Sequence, residues 1–179
     1  LIQAIHQSLE KDLRKIRDKA IVLVGFSGGF RRSELVSIEY EDLEFVTEGV
    51  KIFIKRSKTD QSGEGMTKAI PYFDNEEFCP VIALKNWIEV SEIKKDKIFK
   101  ISDKGVALII KKYASIAGLD QQKYAGHSLR SGFATSTAES GAEERNIMAM
   151  TGHKSTEMVR RYIKEANLFK NNALNKIKI

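Results

Sequence analysis

Cysteine occurs once in these 179 residues, as Cys79. A single thiol excludes an intrachain disulfide and any cysteine-based metal cluster, and it favours a reducing, cytoplasmic compartment. Cys79 itself reads as a small apolar residue ahead of Pro80, where a helix begins. No apolar run approaches the ~20 residues of a membrane span and no signal-peptide pattern opens the chain, so a soluble protein is expected. Repeats, low-complexity tracts and linkers are missing too, which leaves a single domain over residues 1–179. Aromatic and basic residues do not interleave as in single-strand-binding proteins, and Trp87 and the phenylalanines are assigned to the core. The chain opens at Leu1, without an initiator methionine, in what already reads as helix, and a fragment of a longer protein is the expectation.

What is present is enough chain to bury roughly 70% of its unfolded surface without staples. Thirty Lys and Arg against 24 Asp and Glu give a formal charge of +6 and a pI near 9.3. That balance permits attraction to a polyanion without requiring it.

Apolar Leu13, Ile16, Ala20, Leu23 and Val24 recur at helical spacing over residues 12–27, and Gly28-Gly29 ends the run. A short helix over 33–39 follows, and its start near Arg31 brings backbone amides and a guanidinium together in a corner suited to an anion. Between 43 and 72 the pattern alternates, with Val50, Ile52 and Ile54 on one face and Lys51, Phe53 and Lys55 on the other. Residues 69–72 read as the return strand, and the polar stretch 57–65 as an exposed hairpin carrying Lys58. Helices are expected over 80–90, 104–117, 127–139, 143–150 and 155–164, with Gly118 and Gly141 closing two of them. Beyond these, Leu168, Phe169, Ala173, Leu174 and Ile177 form a stripe that a helix would have to bury. The fold class is mainly α with a small antiparallel β-sheet.

The chemistry concentrates in three places. Tyr162 stands nine positions after His153, close downstream of His127 and Arg130. A phenol has a reference pKa of about 10, so as a nucleophile it needs a proton acceptor and an electrophile relieved of negative charge. The three-residue spacing of His127 and Arg130 sets imidazole and guanidinium on one helix face, where they can hold one phosphate together. Far upstream, Arg31 or Arg32 adds a further guanidinium beside Glu34. Glu34 is acidic where an anion should be welcome, so it suits orienting a guanidinium better than touching phosphate. Two arginines can neutralise the oxygens of a phosphodiester as it becomes pentacovalent. Zinc at His127 and His153 lacks further ligands at the right spacing, and His6 is read as structural.

Taken in order, Arg31-x-Ser33-Glu34-Leu35, His127-x-x-Arg130 and Gly152-His153 followed by Tyr162 make the chain resemble the tyrosine recombinases, or phage-type integrases. The resemblance runs from Arg31 to Tyr162 and selects Arg31 over Arg32, which is left as a surface or DNA-backbone contact. It implies the family's catalytic-domain fold and a site-specific recombinase in which Tyr162 forms a 3′-phosphotyrosyl link. It further implies His127 as base or phosphate contact, His153 as hydrogen-bond donor to the phosphate, and Lys58 as general acid to the leaving 5′ oxygen. Lys55 and Lys68 compete with Lys58; for them, as for Lys51, a solvated face is the default. Neither cofactor nor metal is expected. The implied partner is double-stranded DNA, bound by a homotetramer in the nucleoid, with residues 165–179 docking on a neighbouring protomer and the family's N-terminal DNA-clamping domain outside this chain. A type IB topoisomerase and a non-catalytic DNA-binding module are the alternatives.

Overall fold

The computed structural model describes residues 13–55, 64–124, 127–153 and 155–167. Among them the chain forms α1 (Leu13–Ser27), α2 (Arg32–Ser37), β1 (Leu43–Val46), β2 (Gly49–Ile54), β3 (Met66–Pro71), α3 (Pro80–Val90), α4 (Asp103–Ile116), α5 (Ser128–Glu139), α6 (Glu144–Thr151) and α7 (Thr156–Asn167). The mainly helical reading with a small antiparallel sheet is borne out.

The run Ala20-Ile21-Val22-Leu23-Val24 is buried along its whole length, which makes α1 the central helix. It packs on α3 and α5. The sheet has the order β1-β2-β3, antiparallel throughout, and Val50, Ile52, Ile54 and Ile70 close the core against Val81, Leu84, Phe99, Ile110 and Tyr113. Alternation along β2 sends Lys51, Phe53 and Lys55 outward, as expected. A smaller apolar cluster of Ala134, Ala138, Ile147 and Val159 ties α5, α6 and α7 together, with Tyr162 and Ile163 packed against it.

Local chemistry explains the boundaries. Cys79 is buried in the N-cap position ahead of Pro80, and its Sγ accepts the Phe73 N–H at 3.4 Å. Trp87 is partly buried against the core and donates its indole N–H to the Ile98 carbonyl at 2.9 Å, which satisfies its polar tip. The short helix α2 ends two residues earlier than its sequence suggests, because Ile38 turns extended and Glu39 bridges to Lys97. At α4 the Ser102 hydroxyl accepts the Gly105 N–H at 3.1 Å. Ser102→Ala should therefore cost about 1 kcal/mol, read as a lowered urea midpoint at unchanged slope.

Strand β3 starts at Met66, three residues before the expected return strand, and so takes Lys68 into the sheet.

Candidate active site

The site is built on how α1 stops. Gly29 takes a left-handed backbone at φ 55°. Its N–H reaches back to the Phe26 carbonyl at 3.0 Å, and the next N–H, of Phe30, reaches the Gly25 carbonyl at 3.0 Å. This is a Schellman turn, in which glycine accepts the left-handed conformation at little cost. The carbonyls of Gly28 and Gly29 are left projecting from the negative end of the helix dipole, where cations are favoured.

Two cations take them. Lys68 Nζ donates to Gly28 O at 2.7 Å and Gly29 O at 3.4 Å, and Arg130 Nη1 donates to the same Gly29 O at 3.1 Å. Lys68 is 1% exposed. The expectation of a solvated lysine is corrected here: Lys68 pairs with Ile52 across β2–β3 and shares the inward face of Ile70, with its ammonium 4.4 Å over the Phe30 ring and 3.8 Å from Glu34 Oε2. Lys51 and Lys55 do lie on the outer face, paired with Glu44 and with Glu39 and Asp42.

Glu34 is 2% exposed. One carboxylate oxygen accepts the Arg31 backbone N–H at 3.0 Å and the other accepts the Arg31 guanidinium. The N-terminal corner of α2 does hold an anion, and that anion is Glu34. A carboxylate at the third helical position reaching back to the N-cap amide is half of a capping box, which fixes the backbone of Arg31 as well as its side chain. Arg32 is turned away, 3.4 Å from the Asp103 carbonyl.

Arg130 lies in the first turn of α5, only 6% exposed, and its Nη2 has no hydrogen-bond partner among the described residues. Close approach of α5 to α1 puts it there: the Leu129 side chain fills the space a side chain at Gly25 would need, and Phe26 meets Phe133 edge-to-face at 6.4 Å. His127, three residues earlier, is exposed at the N-cap, so the two side chains share a helix face but differ in burial.

His153 follows Gly152, whose left-handed backbone (φ 63°) ends α6 and folds the chain back. The imidazole Nδ1 lies 2.8 Å from the hydroxyl of buried Thr151. Tyr162, on α7, is half-buried on the small cluster, and its phenol acts on Arg130.

With three cationic side chains around one carboxylate, the corner is short of negative charge. Burial pushes Lys68 down to about 7, opposed by Glu34 and helped by Arg130 and Arg31. Burial pushes Arg130 down to about 10, with Arg31 adding to the fall and Glu34 and Tyr162 opposing it. Burial also lowers His153 to about 4, and Arg130, Arg31 and Lys68 reinforce it, so the imidazole is neutral at pH 7. An anion beside Arg31 and Arg130 would offset the mutual repulsion of these cations. No group of three or more His, Cys, Asp or Glu side chains converges among the described residues as a metal site requires, and no helix among them is long and apolar enough to cross a membrane.

Arg31, Glu34, Arg130, His153 and Tyr162 are thus brought into one electrostatically coupled region. Lys58, His6, most of the hairpin 57–65 and the stripe from 168 onward lie outside the described residues. Lys68 and Thr151 are the additions that motif spacing did not supply. For Lys68 a signal existed, since it stands two residues before inward Ile70.

Comparison with known proteins agrees with this architecture. The chain is 50% identical over 180 residues to an integrase/recombinase xerD homolog of Selenomonas ruminantium, covering 94% of this chain and 53% of that protein. It spans about half the length of the curated relatives it matches. Among solved structures it resembles XerA recombinase at a TM-score of 0.73 and 21% identity, over 99% of this chain and 62% of the other. The XerH site-specific recombinase in a post-cleavage complex with its difH substrate matches at a TM-score of 0.72 and 20% identity, over 96% of this chain and 50% of the other. These two likenesses give the fold. The sequence profile described as the phage integrase family matches residues 1–168, and the chain belongs to that family.

Proposed function

We propose that this chain is the strand-transferring domain of a site-specific DNA recombinase or integrase. The observation that carries the reading is the buried Nη2 of Arg130, which has no hydrogen-bond partner among the described residues, in a corner with surplus positive charge and with a phenol acting on the same guanidinium. A buried donor without an acceptor costs about 1–3 kcal/mol, and a phosphate oxygen supplies the acceptor. Arg31, oriented by Glu34, supplies the second guanidinium.

In the proposed reaction the Tyr162 oxygen attacks the scissile phosphorus, its proton passing to a base. The bond to the 5′ oxygen breaks, and a 3′-phosphotyrosyl link and a 5′ hydroxyl result. Attack by the 5′ hydroxyl of a partner strand reverses the step and frees the enzyme. One phosphodiester is exchanged for another, so the chemistry needs no nucleotide cofactor, and the cationic side chains take the part a metal takes elsewhere.

His127, exposed at the start of α5 three residues before Arg130, is assigned to the base or to phosphate contact. Lys58 is assigned as general acid to the 5′ oxygen. What favours it over Lys68 is that the Lys68 ammonium is already engaged by Gly28 O, Gly29 O and Glu34, with no exposed face. Double-stranded DNA is the partner, and a synaptic homotetramer with residues 165–179 docked on a neighbour is the assembly. The XerH recombinase, a structural relative, was solved bound to its difH substrate before and after cleavage, which supports the DNA partner. Family membership does not favour the topoisomerase or the non-catalytic module.

The test is covalent trapping. Full-length protein is incubated with a pooled library of nicked duplexes, resolved on a denaturing gel, and the linked residue mapped by mass spectrometry. A DNA adduct at Tyr162, absent from Tyr162→Phe, is expected. An adduct that survives the substitution, or DNA bound at a defined site without any adduct, overturns the reading.

A further inference from the structure

Two short contacts meet on one hydroxyl. Thr151 Oγ1 lies 2.6 Å from the Ile147 carbonyl oxygen and 2.8 Å from His153 Nδ1, and Thr151 is 0% exposed. A carbonyl oxygen can only accept, so the single hydroxyl proton of Thr151 goes to Ile147. What remains toward His153 is an oxygen lone pair, which requires Nδ1 to carry a proton.

From this we infer that Thr151 is a positioning residue that fixes His153 as the Nδ1–H tautomer, leaving Nε2 as a bare acceptor in the free protein. The inference rests on the strand-transfer reading only for its functional consequence.

The surroundings disfavour a second proton at rest. Arg130 on α5, Arg31 at the start of α2 and Lys68 on β3 all act on the imidazole, and buried Glu34 is engaged by Arg31 and faces Lys68. Tyr162, on α7, is coupled to the same Arg130. A neutral imidazole with its one proton on Nδ1 cannot donate from Nε2. The family resemblance implies His153 as a donor to the phosphate; the tautomer makes it an acceptor first. It becomes a donor only after Nε2 takes up a proton, whether from water or from the tyrosine hydroxyl. The imidazolium so formed keeps Nδ1–H on Thr151 and turns Nε2–H toward the phosphate oxygen. No atom is left over: one proton moves, and one hydrogen bond reverses direction.

The backbone supports the lock. Gly152 turns the chain through a left-handed residue, and the Thr151 methyl occupies space beside Gly29, while the hydroxyl reaches its own helix and the ring beyond Gly152.

The tautomer is read directly from the imidazole nitrogen shifts of 15N-labelled protein at pH 7, assigned with His153→Gln. The wild type should show Nδ1 protonated and Nε2 bare. Thr151→Val, which keeps the shape and removes the acceptor, should move the proton off Nδ1, and Thr151→Ser should restore the wild-type pattern. Wild-type protein with the proton on Nε2, or a Thr151→Val spectrum identical to wild type, overturns the inference. With full-length protein on suicide DNA, Thr151→Val should slow adduct formation by about ten- to a hundredfold at unchanged DNA affinity, and Thr151→Ser should recover it. Valine and wild type reacting at equal rates would remove the catalytic consequence. A wild type that forms no adduct would sink the strand-transfer reading while leaving the nitrogen shifts to decide the tautomer.

Discussion

Arg130→Lys should lower the single-turnover rate of phosphotyrosine formation by about 10²–10³-fold, the cost of removing one preorganised donor from an anion-stabilising site. The guanidinium uses its fork: Nη1 is anchored on the Gly29 carbonyl, and buried Nη2 has no hydrogen-bond partner among the described residues. An ammonium is a single point donor on a flexible stem and cannot be anchored and aimed at once. Lysine keeps the positive charge, so DNA affinity should fall much less than the rate, and the thermal midpoint should change little if lysine still reaches Gly29 O. The measurement is adduct formation at saturating suicide DNA beside a melting curve. A lysine variant that reacts within threefold of wild type would show that Arg130 acts through charge alone and that its second nitrogen touches nothing in the reaction.

Lys68→Met should produce the largest pH-dependent change in stability. Burial holds the folded-state Lys68 near 7, well below its ordinary 10.5. Between these values the unfolded chain binds more protons at this position than the folded one, so stability rises with pH across the window. The rise is at most about 1.4 kcal/mol per pH unit. Below pH 7 the lysine is charged in both states and the full desolvation penalty is present; above 10.5 it is neutral in both and the penalty is gone. Methionine fills a similar volume and has no such slope. It also leaves Gly28 O without its lysine donor, at about 1–3 kcal/mol. The disadvantage of the variant should therefore be greatest at alkaline pH and narrow toward neutrality. Urea unfolding of both proteins at pH 7, 8 and 9 checks this, and a stability difference that stays flat over that range would mean that Lys68 titrates as an exposed lysine does.

The helices were legible because their apolar periodicity and their stops are local. Gly28-Gly29 ended α1 where expected, and Pro80 opened α3. The site motifs were legible as residues: the local pair Arg31–Glu34 formed as its chemistry suggested. Lys68 differs from its expected solvated place because the return strand begins at Met66 rather than Ala69, and its parity with Ile70 turns it inward. Nothing in the spacing could supply its acceptors, since the carbonyls of Gly28 and Gly29 become available only through the shape of a turn in another part of the chain. His127 and Arg130 show the reverse limit. A spacing of three gives a shared face, but how deeply each side chain is buried depends on where the helix starts and on α1 lying against it. Thr151 was illegible for a simpler reason: which way a hydroxyl donates is decided by the atoms that surround it.

The Gly29 carbonyl is gripped by Lys68 from 39 residues away and by Arg130 from 101 residues away. Closing such long loops comes late when a chain leaves the ribosome. A nascent polypeptide that has already made α1, α2 and the sheet still lacks the second arginine, and Tyr162 emerges later again. On the strand-transfer reading, translation order therefore withholds the complete set of reacting side chains until Tyr162 has been synthesised.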